Sequence, residues 1–288
     1  MVRLAESDIQ TREVLSWRDA HLFHYAMSSC SQKTRIALNL KRAQWQGHIV
    51  DLSRHEAWSP WFMGINPRGL LPVLVLDGAV HIESNDILRE IERRWPEPCL
   101  FPQDRDEEIA ALLQQEDDLH LDLRTLSFRF VHGRTRTTKT DEVMQTYARS
   151  GSGTVGGRPD ADRAREIAFY ERLASEGVSD EACRTAAAKF RAAFDSFDAR
   201  LDSQPWLMGD GMTALDVAWF VYAYRLDLGG YPLARLHPRL NAWYERLLAR
   251  PEFVREVAPP PSAAERIAAN RRQQIAENAT LAQVTGIA

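Results

Sequence analysis

The sequence has little of what marks several protein classes. It has three cysteines in 288 residues, at positions 30, 99 and 183, without metal-ligand spacing. This scarcity argues against a disulfide framework and favours a reducing compartment. No apolar run approaches the roughly 18 residues of a membrane span, and the N-terminus lacks the apolar core of a signal peptide. We therefore expect a soluble cytoplasmic protein without a membrane partner or a metal.

The chain also lacks an excess of charge of one sign. It has 36 Lys and Arg against 40 Asp and Glu, which gives a net charge of −4 and a pI near 6.1. Proteins that bind nucleic acids usually carry a basic surface, so we expect no nucleic-acid partner. At 44% hydrophobic and 26% charged residues, the composition is globular, and the length allows two domains.

What the sequence does contain is an α/β pattern between residues 21 and 95. A helical period covers 32–42, and a second helix opens at Ser84. Asp77-Gly78 between two apolar runs is typical of a β-hairpin. The order β-α-β, then β-β-α, predicts a compact α/β domain. Four runs have the character of strands: 21–25, 47–51, 72–76 and 79–82.

Residues from 106 onward show helical periodicity without a strand pattern. We therefore predict an α+β protein, in which an all-α domain follows the α/β domain. The helical stretches are 106–131, 160–175, 179–203, 213–227 and 238–249. The expected divisions are a loosely attached N-terminal arm (1–20), the α/β domain (21–95), a linker (96–105), the helical domain (106–258) and a C-terminal extension (259–288).

Two details of the helical half carry predictions of their own. A basic, Gly/Ser-rich insert at 132–159 is either a solvated loop or a mobile lid over a substrate. Thr213 with Asp216, and Ser262 with Glu265, have capping-box spacing. We expect Asp216 to be buried and structural.

The stretch Ser28-Ser-Cys-Ser31 lies between the first predicted strand and the first predicted helix. A strand that turns directly into a helix points the N–H groups and the positive dipole end of the helix at the turn. Hydroxyls and a thiol placed there can stabilise an anion, and a thiolate is the anion we expect. The alternative is that the serines only cap the helix.

Motifs in a fixed order resemble the cytosolic glutathione transferase family. The first, Ser28-Ser-Cys before Arg35-Ile-Ala-Leu38, is most similar to the zeta class. Asn66-Pro-Arg-Gly-Leu-Leu-Pro72 and Glu83-Ser84 follow. The segment 61–69 is also similar to bacterial aryl-ether-cleaving and reductive-dehalogenating relatives. The resemblance implies a thioredoxin-like domain, a helical domain and glutathione as cosubstrate.

The resemblance also implies roles for individual residues. Pro72 matches the family's cis-proline, which presents the Leu71 backbone to the tripeptide much as an added strand would. Glu83 and Ser84 are expected to bind the ammonium and the carboxylate of the γ-glutamyl end.

One position departs from the family pattern. Before the Leu-Pro step the family often has Lys or Gln, which helps to bind the glycyl end, whereas Leu70 offers no donor. We expect His55, or Arg54, to compensate, and the alternative for both is a solvated surface position.

The chemistry implied is activation of the glutathione thiol by the hydroxyl of Ser28 or Ser29. The thiolate would attack a hydrophobic, aromatic electrophile near Trp58. Conjugation, aryl-ether cleavage, dehalogenation and isomerisation all use this thiolate, and the sequence does not choose among them. One alternative is a thiol-disulfide reductase in which Cys30 forms the mixed disulfide. The other is a non-catalytic partner subunit. We expect a homodimer, with a heterodimer as the alternative.

Overall fold

The computed structural model describes residues 2–133 and 139–287, so part of the basic insert (134–138) lies outside the described residues. These residues form two compact units. The first contains 2–98 and 139–175, and the second contains 99–133 and 176–287. The predicted divisions assigned 139–175 to the helical domain. The structure groups it with the α/β domain instead.

The elements alternate first and are then helical, as the predicted fold class requires. The strands are β1 Ala20–His24, β2 Gln46–Ile49, β3 Val73–Leu76, β4 Ala79–His81, β5 Thr154–Val155 and β6 Arg158–Pro159. The helices are α1 Ser29–Leu40, α2 Pro60–Met63, α3 Ser84–Arg94, α4 Asp106–Asp118, α5 His120–Ser127, α6 Asp141–Arg149, α7 Ala161–Glu176, α8 Asp180–Arg200, α9 Ala214–Leu228, α10 Leu233–Leu236, α11 Pro238–Leu248, α12 Pro251–Val257, α13 Pro261–Ala276 and α14 Leu281–Thr285.

The first unit is built on a mixed sheet with the strand order β2-β1-β3-β4. β1 runs parallel to β2 and antiparallel to β3, and β3 runs antiparallel to β4. Every residue of β3 is buried, which fits its continuous apolar sequence. Asp77 and Gly78 both adopt positive φ in the predicted hairpin. The predicted α/β domain is therefore confirmed.

The N-terminal arm differs from the prediction, because it is packed into the first unit. Leu4, Ile9 and Val14 are buried in its core, and the Leu4 N–H donates to the Val80 carbonyl at 2.9 Å. The sequence does not indicate this packing, because the apolar residues are spaced irregularly through two 3₁₀ turns and show neither a helical nor a strand period.

Asp8 explains how the insert joins the same unit. Its fully buried carboxylate accepts hydrogen bonds from the Thr154 hydroxyl (2.7 Å) and the N–H groups of Gly156 (2.8 Å) and Gly157 (3.0 Å). Burial acts to raise the pKa of Asp8, but these hydrogen bonds outweigh it and hold the pKa below its ordinary value. The Gly/Ser-rich stretch thus contains the β5–β6 hairpin, whose residues 156–159 are exposed.

Within the described residues of the second unit, the regular elements are helices, and an isolated β-bridge joins Trp206 and Gly209. The predicted helix 106–131 is divided into α4, α5 and a π-helical turn at Phe128–His132. The capping box at Thr213 and Asp216 is confirmed. Asp216 is fully buried and accepts from the Trp243 indole at 2.8 Å, and burial raises its pKa.

The C-terminal extension contains α13 and α14. The predicted capping box at Ser262 is wrong, because α13 starts at Pro261 and places Ser262 inside the helix. No helix of the described ranges is long and apolar enough to cross a membrane.

Candidate functional site

Four predicted segments converge at one end of the sheet. The register pairs Phe23 with Val73, so the end of β1 lies beside the start of β3. His24 pairs with Ile49, which brings the end of β2 to the same place. β4 also ends here, because it runs antiparallel to β3. Every predicted site residue follows one of these strand ends or, in the case of Leu71 and Pro72, precedes β3 directly.

Ser28 is the N-cap of α1, and its side-chain oxygen accepts from the Ser31 N–H at 3.3 Å. Ser29 and Cys30 are the first two helical residues; Ser29 is 8% exposed, and Ser28 and Cys30 are half-buried. The capping alternative is therefore realised at Ser28. It leaves the Ser28 hydroxyl proton available to donate, so capping and thiol activation are compatible.

Buried side chains of α1 hold the loop that precedes it. The Arg35 guanidinium donates to the Tyr25 carbonyl at 3.1 Å, and the Gln32 amide donates to the Ala26 carbonyl at 3.1 Å. The Ser31 hydroxyl oxygen accepts from the Tyr25 N–H at 3.4 Å. These contacts fix the turn at the positive end of the α1 dipole, where an anion is stabilised.

The second segment is a turn built by Asn66, which is almost fully buried. Its side chain donates to the Leu70 carbonyl at 2.9 Å and accepts from the Arg68 N–H at 3.0 Å. Gly69 has φ +63, and a Cβ there would lie 2.8 Å from Trp58 and 2.6 Å from Met63. Only glycine fits this position without displacing the aromatic packing.

Leu71 and Pro72 lie between this turn and β3, and the peptide bond between them is cis. The Leu71 side chain is partly buried against the hydrophobic core. Its backbone N–H and C=O make no hydrogen bond within residues 2–133 and 139–287. Both groups can therefore pair with an extended peptide, as the resemblance implies.

At the start of α3, Glu83 is the N-cap and Ser84 the first helical residue. Glu83 has φ 65 and ψ 115, and a positive φ is uncommon for a residue with a Cβ. It makes no side-chain capping bond. Ser84 is 7% exposed, and the neighbouring Asn85 accepts from the buried Lys33 ammonium at 2.7 Å, which ties α3 to α1.

Arg68 lies in this site although it was not predicted from the sequence as a site residue. Its guanidinium contacts Glu83 at 2.5 Å, Asp162 at 2.6 Å, and Asp160 through two hydrogen bonds of 2.9 and 3.0 Å. Burial acts to lower the pKa of Arg68, but Asp160 and Glu83 outweigh it and raise the pKa. Arg68 is part of the motif 66–72, but no pattern in the sequence indicates that it pairs with Asp160, which is 92 positions away.

His55 lies in a left-handed turn after β2, with its Nδ1 3.2 Å from the Lys139 ammonium. Burial and the Lys139 charge both lower the pKa of His55. Lys139 also lies 5.3 Å from the centroid of Trp58 and 5.5 Å from that of Tyr170. The neutral imidazole thus accepts from Lys139 and presents its Nε2–H as a donor.

Trp58 differs from the expectation that it lines a substrate pocket. It is 7% exposed and stacks on the buried Tyr147 ring with centroids 4.3 Å apart. Among the described residues, no group of three or more His, Cys, Asp or Glu side chains is arranged to hold a metal ion.

Comparisons with known proteins identify the family of both parts of the chain. The family described as glutathione S-transferase, N-terminal domain, matches residues 27–94, and its C-terminal counterpart matches 146–246. A tetrachloro-p-hydroquinone reductive dehalogenase of Sphingobium chlorophenolicum is 24% identical over 82% of this chain and 94% of its own. The β-etherase LigF of Sphingobium sp. strain SYK-6 superposes with a TM-score of 0.68 at 24% identity, over 82% of this chain and 98% of that one.

A zeta-class glutathione S-transferase of Euphorbia esula is 41% identical, but only over 83 residues. That match covers 29% of this chain, which spans 37% of the relative's length. The higher identity is therefore confined to a short segment.

Proposed function

The chain belongs to the glutathione S-transferase family, and from that premise we propose that it activates bound glutathione for attack on a hydrophobic, aromatic electrophile. The observation that carries the proposal is the convergence of the α1 start, Leu71 and the α3 start at one end of the sheet. The start of α1 suits the thiolate, because it can stabilise an anion. The backbone groups of Leu71 suit the peptide, and the start of α3, a second anion site, suits the γ-glutamyl carboxylate.

The start of α1 supplies the activation. A free thiol has a pKa of about 8.5 and is mostly protonated at neutral pH. A hydroxyl of Ser28 or Ser29 that donates to sulfur, together with the α1 dipole, depresses this value by about one to two units. Each unit corresponds to about 1.4 kcal/mol in favour of the thiolate.

The start of α3 binds the γ-glutamyl end in this proposal. The Ser84 N–H and hydroxyl donate to the carboxylate at the positive end of the helix dipole. The Glu83 carboxylate accepts from the neighbouring ammonium. Leu71, fixed by Pro72, pairs with the peptide backbone between the two ends.

The glycyl carboxylate binds to His55 and Lys139 in this proposal. These side chains form a donor and a cation at the end of the sheet where Leu70 supplies neither. Replacing either by alanine should weaken glutathione binding, but should not affect an analogue in which the glycyl carboxylate is amidated.

The second substrate is proposed from the relatives. Dehalogenation, ether cleavage and isomerisation, as well as conjugation, all begin with attack by the same thiolate. The deciding experiment presents purified protein and glutathione with one aromatic substrate of each kind. Binding to immobilised glutathione with turnover of at least one substrate supports an enzyme. Binding without turnover supports the non-catalytic partner instead.

A second candidate function rests on Cys30. Its half-buried thiol is the second residue of α1, where the helix dipole favours a thiolate. A reductase would form a mixed disulfide there, so Cys30→Ala would abolish its activity. The transferase proposal predicts that this variant keeps most of its activity.

We also expect a homodimer in the cytoplasm, with a heterodimer as the alternative. Light scattering of the purified chain distinguishes a self-associating dimer from a monomer that needs another subunit.

A further inference from the structure

The Glu83 carboxylate, which the proposed function assigns to the ligand ammonium, is held by one side chain. Arg68 contacts Glu83 Oε1 at 2.5 Å, while Oε2 makes no hydrogen bond within the described residues. The Glu83 side chain is 37% exposed and the Arg68 side chain only 12%. One carboxylate oxygen is thus fixed, and the other keeps its acceptor capacity.

Arg68 is itself fixed by the segment 139–175. Asp160, with a side chain 6% exposed, accepts two parallel hydrogen bonds from the guanidinium, and Asp162 contacts the same group. The paired geometry restricts a guanidinium more than a single contact does. The Tyr147 hydroxyl donates to the Arg68 carbonyl at 2.8 Å, so the segment also holds the backbone.

The charges at this place do not cancel. Glu83, Asp160 and Asp162 face Arg68, and Asp162 also pairs with Arg165. Within this ion-pair cluster, three carboxylates face two guanidinium groups, so the cluster itself carries an excess of negative charge. That excess favours an ammonium group beside Glu83.

We infer that Arg68 is a positioning residue for Glu83, and that the segment 139–175 makes the site selective for the ligand's α-ammonium group by holding Arg68 through Asp160. The inference rests on the proposed glutathione site. Without Asp160, the guanidinium loses its two paired hydrogen bonds and keeps only the contact with Asp162 from this segment. It can then shift with the exposed Glu83 side chain, which loses its fixed orientation towards the ligand.

The test compares two ligands in each variant: glutathione and an analogue that lacks the α-amino group of its γ-glutamyl residue. The wild type should bind glutathione at least about tenfold more tightly than the analogue, as expected for a hydrogen bond between charged groups. In Asp160→Asn, and in Arg68→Lys, which keeps the charge but loses the planar fork, this ratio should fall towards one.

Two further readouts separate positioning from general structural damage. Both ligands bind the same folded fraction, so their affinity ratio does not depend on how much of a variant is folded. The KM for glutathione should rise in both variants while kcat at saturation is retained, because the sulfur site at α1 is untouched. Thr154→Val is the matched control, since it removes the 2.7 Å contact of the same segment with Asp8 and leaves Arg68 intact. It should keep the wild-type ratio.

The outcomes separate this inference from the proposed function. A wild type that fails to bind glutathione contradicts both. A wild type that prefers glutathione, together with an undiminished preference in Asp160→Asn and Arg68→Lys, overturns the inference alone. An equal loss of preference in Thr154→Val also overturns it, because the effect would then arise from loosening the segment as a whole.

Discussion

The starts of α1 and α3 are two helix N-termini at the same end of one sheet, and their N-cap residues differ. α1 has a serine N-cap whose oxygen accepts from the backbone N–H of Ser31. α3 has Glu83 as N-cap, with a positive φ and without a capping bond, and its side chain contacts Arg68. Both helices direct a positive dipole end at the site, but a ligand meets a hydroxyl at the N-cap of α1 and a carboxylate at the N-cap of α3.

The difference indicates two kinds of anion site. At α1 the hydroxyl oxygen is occupied by the helix and its proton remains, which suits a sulfur that needs one donor. At α3 a small residue, Ser84, begins the helix without a side-chain cap in front of it, which suits a carboxylate that accepts from both backbone and hydroxyl. The Glu83 carboxylate beside it suits the ammonium group, so together the two residues suit the α-amino-acid end of a ligand.

The largest expected effect comes from breaking the α1 site. Ser28→Ala or Ser29→Ala should lower turnover more than tenfold with the fold intact, because one of these hydroxyls stabilises the thiolate. Turnover of both single variants and the double variant, measured at saturating glutathione, checks this. Near-wild-type rates in all three would rule out hydroxyl activation.

The α3 site should respond in affinity rather than in rate. Ser84→Ala and Glu83→Ala should each raise the dissociation constant of glutathione on the order of tenfold, since a hydrogen bond to a charged group is lost. Isothermal titration calorimetry measures this directly. Unchanged affinity in both variants would mean that the γ-glutamyl end binds elsewhere.

The smallest expected effect is on the free energy of unfolding, which should differ between variants at the two helix starts. Ser28→Ala should lower the free energy of unfolding by about 1 kcal/mol, because it removes the N-cap of α1. Ser84→Ala should change it less, because Ser84 is inside the helix rather than at its cap. Urea unfolding of the two variants gives both values, and equal losses would contradict the assigned capping roles.

Local patterns were enough to predict much of this fold. The alternation of apolar runs, the Asp77-Gly78 turn and the Thr213–Asp216 box each depend on neighbours in sequence, and the structure contains all three. The predicted residues at α1, β3 and α3 converge because antiparallel pairing brings these strand ends together.

Contacts between distant parts of the chain were not predictable in this way. The pairing of Arg68 with Asp160 and that of Asp8 with Thr154 join segments separated by 92 and 146 residues. Periodicity in the sequence does not indicate such contacts, and for this reason the packing of the arm and of the β5–β6 hairpin was not predicted. At Ser262 a correct spacing failed because Pro261 begins the helix first.

Thiol activation at the start of α1 can be tested by measuring the pKa of the glutathione thiol in the complex. This pKa can be followed by the ultraviolet absorbance of the thiolate as the pH is varied. We predict a value about one to two units below the free thiol's value of about 8.5. The Ser28→Ala/Ser29→Ala double variant loses both hydroxyls but keeps the α1 dipole, so its pKa should rise towards the free value, whereas the pKa in Ser84→Ala should stay at the wild-type value. An unshifted pKa in the wild type, or a double variant whose pKa is as low as that of the wild type, would contradict thiol activation by these hydroxyls.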